Sequence, residues 1–312
     1  MILQKAITPQ LSDAYFEHNF DRVFGFVMPW ATTSWARTPA DLIRAHALDF
    51  PGTPFSADMP YIDVLRFEAT PNLLLEDATG GPDRETQKLT GGPFIDRPPF
   101  TGSGFVADPD HIIPVSWMPH TRVPAGTEIY RLGADGSSTY MAYFHSAAWG
   151  WIYDDHLQQQ REMQPRLLTK LVGGIARVGA DVYTADLIDE GANVILVRQD
   201  EDAANGGAAA DGWAETTPYV WAKTVPTSTV DEYYELDARV RFNGLGFRIV
   251  DQVDDGQGGS ALMGSYMEHD ADLAEGLQLT KMDAGVYEQY LPAELLDEAV
   301  VKQTQVPGWP GA

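Results

Sequence analysis

Apolar side chains recur at helical spacing from Leu11 to Phe24, through Tyr15, Phe16, Phe20 and Val23, and predict an amphipathic helix. A second helix is signalled by "TPADLIRAHAL". Thr38 suits the cap, Pro39 the first helical position, and Asp41 the positive helix end, with Leu42, Ile43 and Ala47 facing inward. "FPGTPF" breaks it. "YIDVLRFEA" then reads as a strand carrying Ile62, Val64 and Leu65. Residues 78–104 are rich in glycine and proline and read as a long loop.

Beyond this point the period shortens. "GTEIYRL" and "STYMAYFH" flank "GADGS" as a hairpin. "ADVYTADLI" and "NVILVRQ" flank "DEGA" as a second. The third is "ARVRF" and "LGFRIVDQV" around Asn243-Gly244, a dipeptide in which both residues accept positive φ. "HDADLAEGL" predicts a short helix, "GVYEQYL" a strand, and "PAELLDEAVV" a helix opened by Pro292. The expected class is α+β: antiparallel hairpins with N-terminal helices, and a small, partly open SH3-like barrel near residues 218–300. The domain expectation is 1–199, a mobile loop at 200–217, and a barrel-like module with a C-terminal helix at 218–312. Residues 200–217 are small and polar, and bury too little surface to order themselves.

Charge changes the picture more than composition does. The chain has 312 residues, 21 basic against 45 acidic side chains, and a net charge of −24. Residues 1–150 hold 10 basic and 17 acidic groups, residues 151–312 hold 11 and 28. Such a surface repels phosphate backbones and anionic lipid, which argues against nucleic acid and membrane partners. The surplus has two readings, solubility or salt adaptation, and a face that steers a basic protein. No cysteine is present, which excludes disulfides and thiolate chemistry and fits a reducing cytosol. No apolar run reaches the roughly 18 residues of a membrane span, and the first residues carry no signal-peptide pattern.

Candidate chemistry is sparse. "AYFHSAAWGWIYDDH" gathers His145, Ser146, Asp154, Asp155 and His156, but neighbours on a strand point apart, so packing and helix capping are expected. Asp251, Asp254 and Asp255 lack calcium-loop spacing, and the seven histidines lack zinc spacing. No metal or cofactor is expected.

Three resemblances bear on function. Gly244-Leu245-Gly246-Phe247 resembles the carboxylate-binding loop of PDZ domains, although the upstream spacing suits a hairpin instead. Arg66, Thr101 with Ser103, and Glu128 follow the order of the arginine, Ser/Thr segment and glutamate of ADP-ribosyltransferases. That likeness implies an NAD-cleaving site on Arg66, Ser103 and Glu128, without the family's Ser-Thr-Ser core or Glu-x-Glu pair. "VRFNGLGFRIVDQVDDG" and "LAEGLQLTKMDAGVYEQYLPAELLDE" resemble C-terminal segments of uncharacterised actinobacterial proteins, some of them immunity or accessory proteins for toxins. The resemblance implies a cytoplasmic binding role. The expected function is therefore capture of a basic protein by Asp254, Asp255, Glu268, Asp270 and Asp272, with Trp213 and Trp221 as anchors.

Overall fold

A computed structural model describes the chain apart from residues 71–72, 155–165, 167, 200–210, 255–259, 307–308 and 310–312. Its architecture is α+β and mostly antiparallel sheet. Among the described residues the N-terminal sheet has eight strands. In spatial order these are Gly150–Tyr153, Ser138–Ser146, Glu128–Gly133, Tyr61–Glu68, Ile2–Ala6, Arg22–Pro29, Ser116–Arg122 and Glu76–Asp77. Several are buried along most of their length because both faces are covered. Along Tyr61–Glu68, Leu65 and Phe67 enter one core, Ile62 and Val64 the other. The helix Pro9–His18 closes the first core with Leu11, Tyr15 and Phe16. The helix Pro39–Ala45 closes the second with Leu42 and Ile43.

Among the described residues the C-terminal sheet has eleven strands. Its main path runs Ala214–Thr217, Val220–Pro226, Asn193–Gln199, Asp181–Ile188, Gly174–Val178, Glu232–Phe242, Leu245–Asp254, Ser260–Tyr266, Val286–Pro292 and Thr280–Asp283. Glu232–Phe242 is its hinge strand. One edge pairs first with Gly174–Val178 and then with Leu245–Asp254, while the other edge pairs with Asp297–Gln305. Among the described residues no closed barrel is found. Strands from residues 214–305 continue the same open sheet as those from 174–199.

The hairpins at 128–146, 181–199 and 232–254 form as the alternation predicts. Asn243 and Gly244 take φ of 50° and 80°. The capping box of Thr38 and Asp41 is present. Four expectations are corrected. The first helix ends at His18, where Asn19 adopts the left-handed conformation, and Val23 and Phe24 belong to the next strand. The segment 78–104 is folded. It carries the helix Arg84–Thr90 and the parallel pair Gly80–Gly81 and Phe94–Ile95, with Phe94 and Phe100 buried. The expected C-terminal helix is a short 3-10 turn, Ala293–Leu295, followed by the edge strand Asp297–Gln305. Its Pro292 ends a strand, and helix propensity loses to pairing with Glu232–Phe242. His145 and Ser146 do not point fully apart: a bulge after Phe144 brings His145 Nδ1 to 3.0 Å from Ser146 Oγ.

Buried polar contacts join the two sheets. Arg22 meets Glu288 at 2.5 Å, and Arg248 donates to the His120 carbonyl and pairs with Asp237. Asp21 receives both the backbone N–H and the hydroxyl of Thr169. The hairpin tip Asp283-Ala284-Gly285 also crosses over. Asp283 pairs with Lys5 at 2.5 Å, and the Gly285 carbonyl accepts from Trp117 Nε1 at 3.0 Å.

Candidate functional site

Four strands from the two sheets converge on one cavity. Ser116–Arg122 ends in Arg122, Asp181–Ile188 presents Asp186, Gly174–Val178 starts with Gly174, and Glu232–Phe242 presents Tyr233 and Glu235. These residues line a cavity of about 330 Å³, together with Leu73, Val123 and Pro124. Residues 233 and 235 share a face because side chains alternate along a strand. Glu235 lies directly opposite Gly174 in the ladder.

Two glycines make the convergence sterically feasible. Gly173 has φ of +85°, and a Cβ there would sit 2.9 Å from the Arg122 Cβ. A Cβ at Gly174 would overlap the Tyr233 hydroxyl and stand 2.6 Å from the Ala185 carbonyl oxygen.

The charges are unequally matched. Arg122 is buried, and its Nη2 donates to the carbonyls of Gly174 at 2.9 Å and Ala185 at 2.7 Å and to Asp186 at 3.2 Å. Its Nη1 donates to the Val172 carbonyl, while its buried Nε finds no acceptor among the described residues. Asp186 also receives the Ala147 backbone N–H at 2.5 Å. These two side chains are held on both sides. Glu235 is different: among the described residues its carboxyl group makes no hydrogen bond and no ion pair. Burial pushes its pKa above the ordinary carboxylate range. Arg122 pulls the other way, and the nearby Asp186 adds to the rise. Burial and the neighbouring Asp186 and Glu235 likewise raise the Tyr233 hydroxyl. A cavity wall with one unmatched acid next to a second acid can accept hydrogen bonds from a cation or a polyol. No cluster of three or more metal-ligating side chains occurs among the described residues.

The residues expected from sequence lie elsewhere. Trp213 and Trp221 are buried at 8% and 9% exposure in the core of the C-terminal sheet, so neither ring is offered to a partner. Asp270 caps the helix Ala271–Gly276 and pairs with Arg84 at 2.6 Å, and Asp272 pairs with Arg97. Glu268 accepts from the Gly246 N–H at 2.9 Å, which occupies the loop that resembles a PDZ cradle. Asp254 ends a strand, and Asp255 lies outside the described residues, as do Asp155 and His156, near which a helix capped by Asp154 or Asp155 is expected. Arg66 and Glu128 face each other across two strands, but Arg66 Nε is bound to Gln4 at 3.0 Å. Ser103 bridges Thr79, beyond the far edge of the sheet, and donates to the Phe105 carbonyl. The three do not assemble.

Sequence reasoning missed Glu235 because the hinge strand was taken to start at Ala238. "YELDARVRF" alternates from Tyr234 to Phe242, and the Gly173-Gly174 pair ahead of "IARV" marks a close approach. Comparison with protein-family models, with curated proteins and with solved structures gives no match.

Proposed function

We propose that the protein binds a basic protein partner, and that the acid-lined cavity receives one of its lysine or arginine side chains. The observation that carries this reading is the unmatched carboxyl group of Glu235 in a cavity wall. Arg122 does not quench it by contact, being committed to three carbonyls and Asp186. Leu73, Val123 and Pro124 offer apolar walls for an aliphatic stem. The net charge of −24 steers a cationic partner toward the surface from a distance. An immunity-like or accessory role is the biological form of this proposal, in line with the resemblance of the C-terminal segment.

Titration of a fluorescent octalysine peptide tests it. Glu235→Gln weakens binding by about tenfold, and added salt weakens the wild-type complex. Glu190→Gln, at an exposed site in the turn between Asp181–Ile188 and Asn193–Gln199, leaves affinity nearly unchanged. Equal affinity of Glu235→Gln and the wild type overturns the proposal.

A further inference from the structure

We infer that a second cavity, where the N-terminal sheet splits, binds a small and mainly apolar organic molecule that offers one hydrogen-bond acceptor to His46. The ladder between Ile2–Ala6 and Arg22–Pro29 stops at Gln4 and Met28, while Ile2–Ala6 stays paired with Tyr61–Glu68 through Ala6. Beside this parting lies a cavity of about 470 Å³, walled by Phe26, Met28, Leu48, Phe50, Phe55 and Met282. That volume is within the range of ligand sites and far above a packing void.

The ions around the cavity are already matched. Lys5 pairs with Asp283 at 2.5 Å, and Lys281 with Glu275 at 3.1 Å. A charged ligand therefore gains no free counter-ion there. His46 is the exception among the buried polar groups of the lining. It follows the helix Pro39–Ala45 as its C-cap, lines the cavity, and is 4% exposed.

A chain of hydrogen bonds fixes its tautomer. The Arg66 Nε–H can only donate, so the Gln4 atom it meets at 3.0 Å is the amide oxygen. Gln4 Nε2 is then the amino group. It donates to Thr33 Oγ1 at 3.1 Å and lies 3.3 Å from His46 Nε2. His46 Nε2 therefore accepts, and the ring hydrogen sits on Nδ1. Burial, with Lys5 nearby, lowers the pKa of His46 to about 3, which keeps the ring neutral. Among the described residues the Nδ1–H has no acceptor. That hydrogen is not sealed from solvent, so a molecule in the cavity can reach it, and the apolar walls hold water poorly. A carbonyl or ether oxygen on an apolar body satisfies both conditions.

Acetophenone and ethylbenzene differ little in shape but only the first carries a carbonyl acceptor. Titrated into the isotope-labelled full chain and followed by NMR, acetophenone binds roughly fivefold tighter, the weight of one hydrogen bond. His46→Phe equalises the two. Ala284→Phe, which fills the cavity from its rim, abolishes both. Equal binding of the two probes to the wild type, no binding of acetophenone, or undiminished binding to Ala284→Phe overturns the inference. If His46→Phe does not fold, the imidazole nitrogen signals of the unaltered protein decide. Movement of the Nδ1 signal on adding acetophenone supports the site, and a static signal overturns it.

Discussion

The two cavities handle charge in opposite ways. Around the cleft in the N-terminal sheet, Lys5 has Asp283 and Lys281 has Glu275. In the acid-lined cavity, Arg122 and Asp186 are matched, but Glu235 stands without a partner among the described residues. The matched pair Lys5–Asp283 ties a hairpin tip of one sheet to a strand of the other, next to the Trp117–Gly285 hydrogen bond. It serves the fold. The unmatched Glu235 does nothing comparable for the fold and faces open space. A matched buried charge is thus expected to matter for stability, and an unmatched one at a cavity wall for binding.

The largest effect that can break this contrast belongs to Lys5. Its side chain is 4% exposed and that of Asp283 is 13% exposed. Lys5→Ala leaves Asp283 buried without its cation and should cost about 3–5 kcal/mol in urea denaturation. The double variant Lys5→Met with Asp283→Leu removes both charges and should recover most of that loss. Glu235→Gln, by contrast, should be neutral or slightly stabilising, since burial already disfavours its charge. A Lys5→Ala protein as stable as the wild type ends the distinction.

Much of the fold is legible in the sequence where a signal is local. Thr38 signals a helix cap and Asn243-Gly244 a tight hairpin, and both are present, with Asp41 completing a capping box. What fails is whatever depends on distant partners. "AELLDEAVV" has good helix propensity, yet Asp297–Gln305 is drawn into a strand by the free edge of Glu232–Phe242. The glycines of 78–104 look like loop punctuation. Gly80, Gly81 and Gly92 are in fact sites where backbone packs against backbone. The candidate sites were least legible. Arg122, Asp186 and Glu235 come from three strands far apart in sequence, and His46 looks like an ordinary helix end. The acids picked out by charge clustering are largely engaged within the chain, because local acid density marks helix starts and ion pairs as readily as docking faces.

A smaller effect sharpens the contrast near the cleft. Asp96 is 5% exposed beside the hairpin tip. Burial raises its pKa to about 6 from an ordinary 3.8, against the pull of the Arg97 N–H and Lys281. A raised carboxyl means that the folded state holds its proton more tightly. Its contribution is full below about pH 4 and is lost as pH rises through 6, on the order of 3 kcal/mol. His46 acts with the opposite sign. With its pKa lowered to about 3, its contribution is present above pH 6.5 and lost as pH falls toward 3. The two slopes oppose each other between pH 4 and 6. Asp96→Asn removes one of them. Its thermal midpoint should rise above that of the wild type at pH 8 and fall more steeply on acidification. An unchanged pH profile rules out Asp96 as a strained buried acid.

The smallest effect concerns how the acid-lined cavity is held open. Gly174 faces Glu235 across the ladder, and the space where its side chain would stand is taken by the Tyr233 hydroxyl. Gly174→Ala must push that hydroxyl or the Ala185 carbonyl aside, an overpacking that costs about 1–3 kcal/mol. Gly276→Ala is the control. It closes the helix Ala271–Gly276 and would meet nothing within 4 Å, so it should be neutral or mildly stabilising. Tyr233→Phe added to Gly174→Ala removes the nearest clashing atom and should restore part of the loss, leaving the Ala185 carbonyl oxygen at 2.6 Å and the ring Cζ at 2.7 Å as the remainder. Denaturation midpoints of the four proteins separate these terms. If the double variant is no better than Gly174→Ala alone, the crowding lies in the Ala185 carbonyl and the ring edge, and the Tyr233 hydroxyl has no part in shaping the wall that carries Glu235.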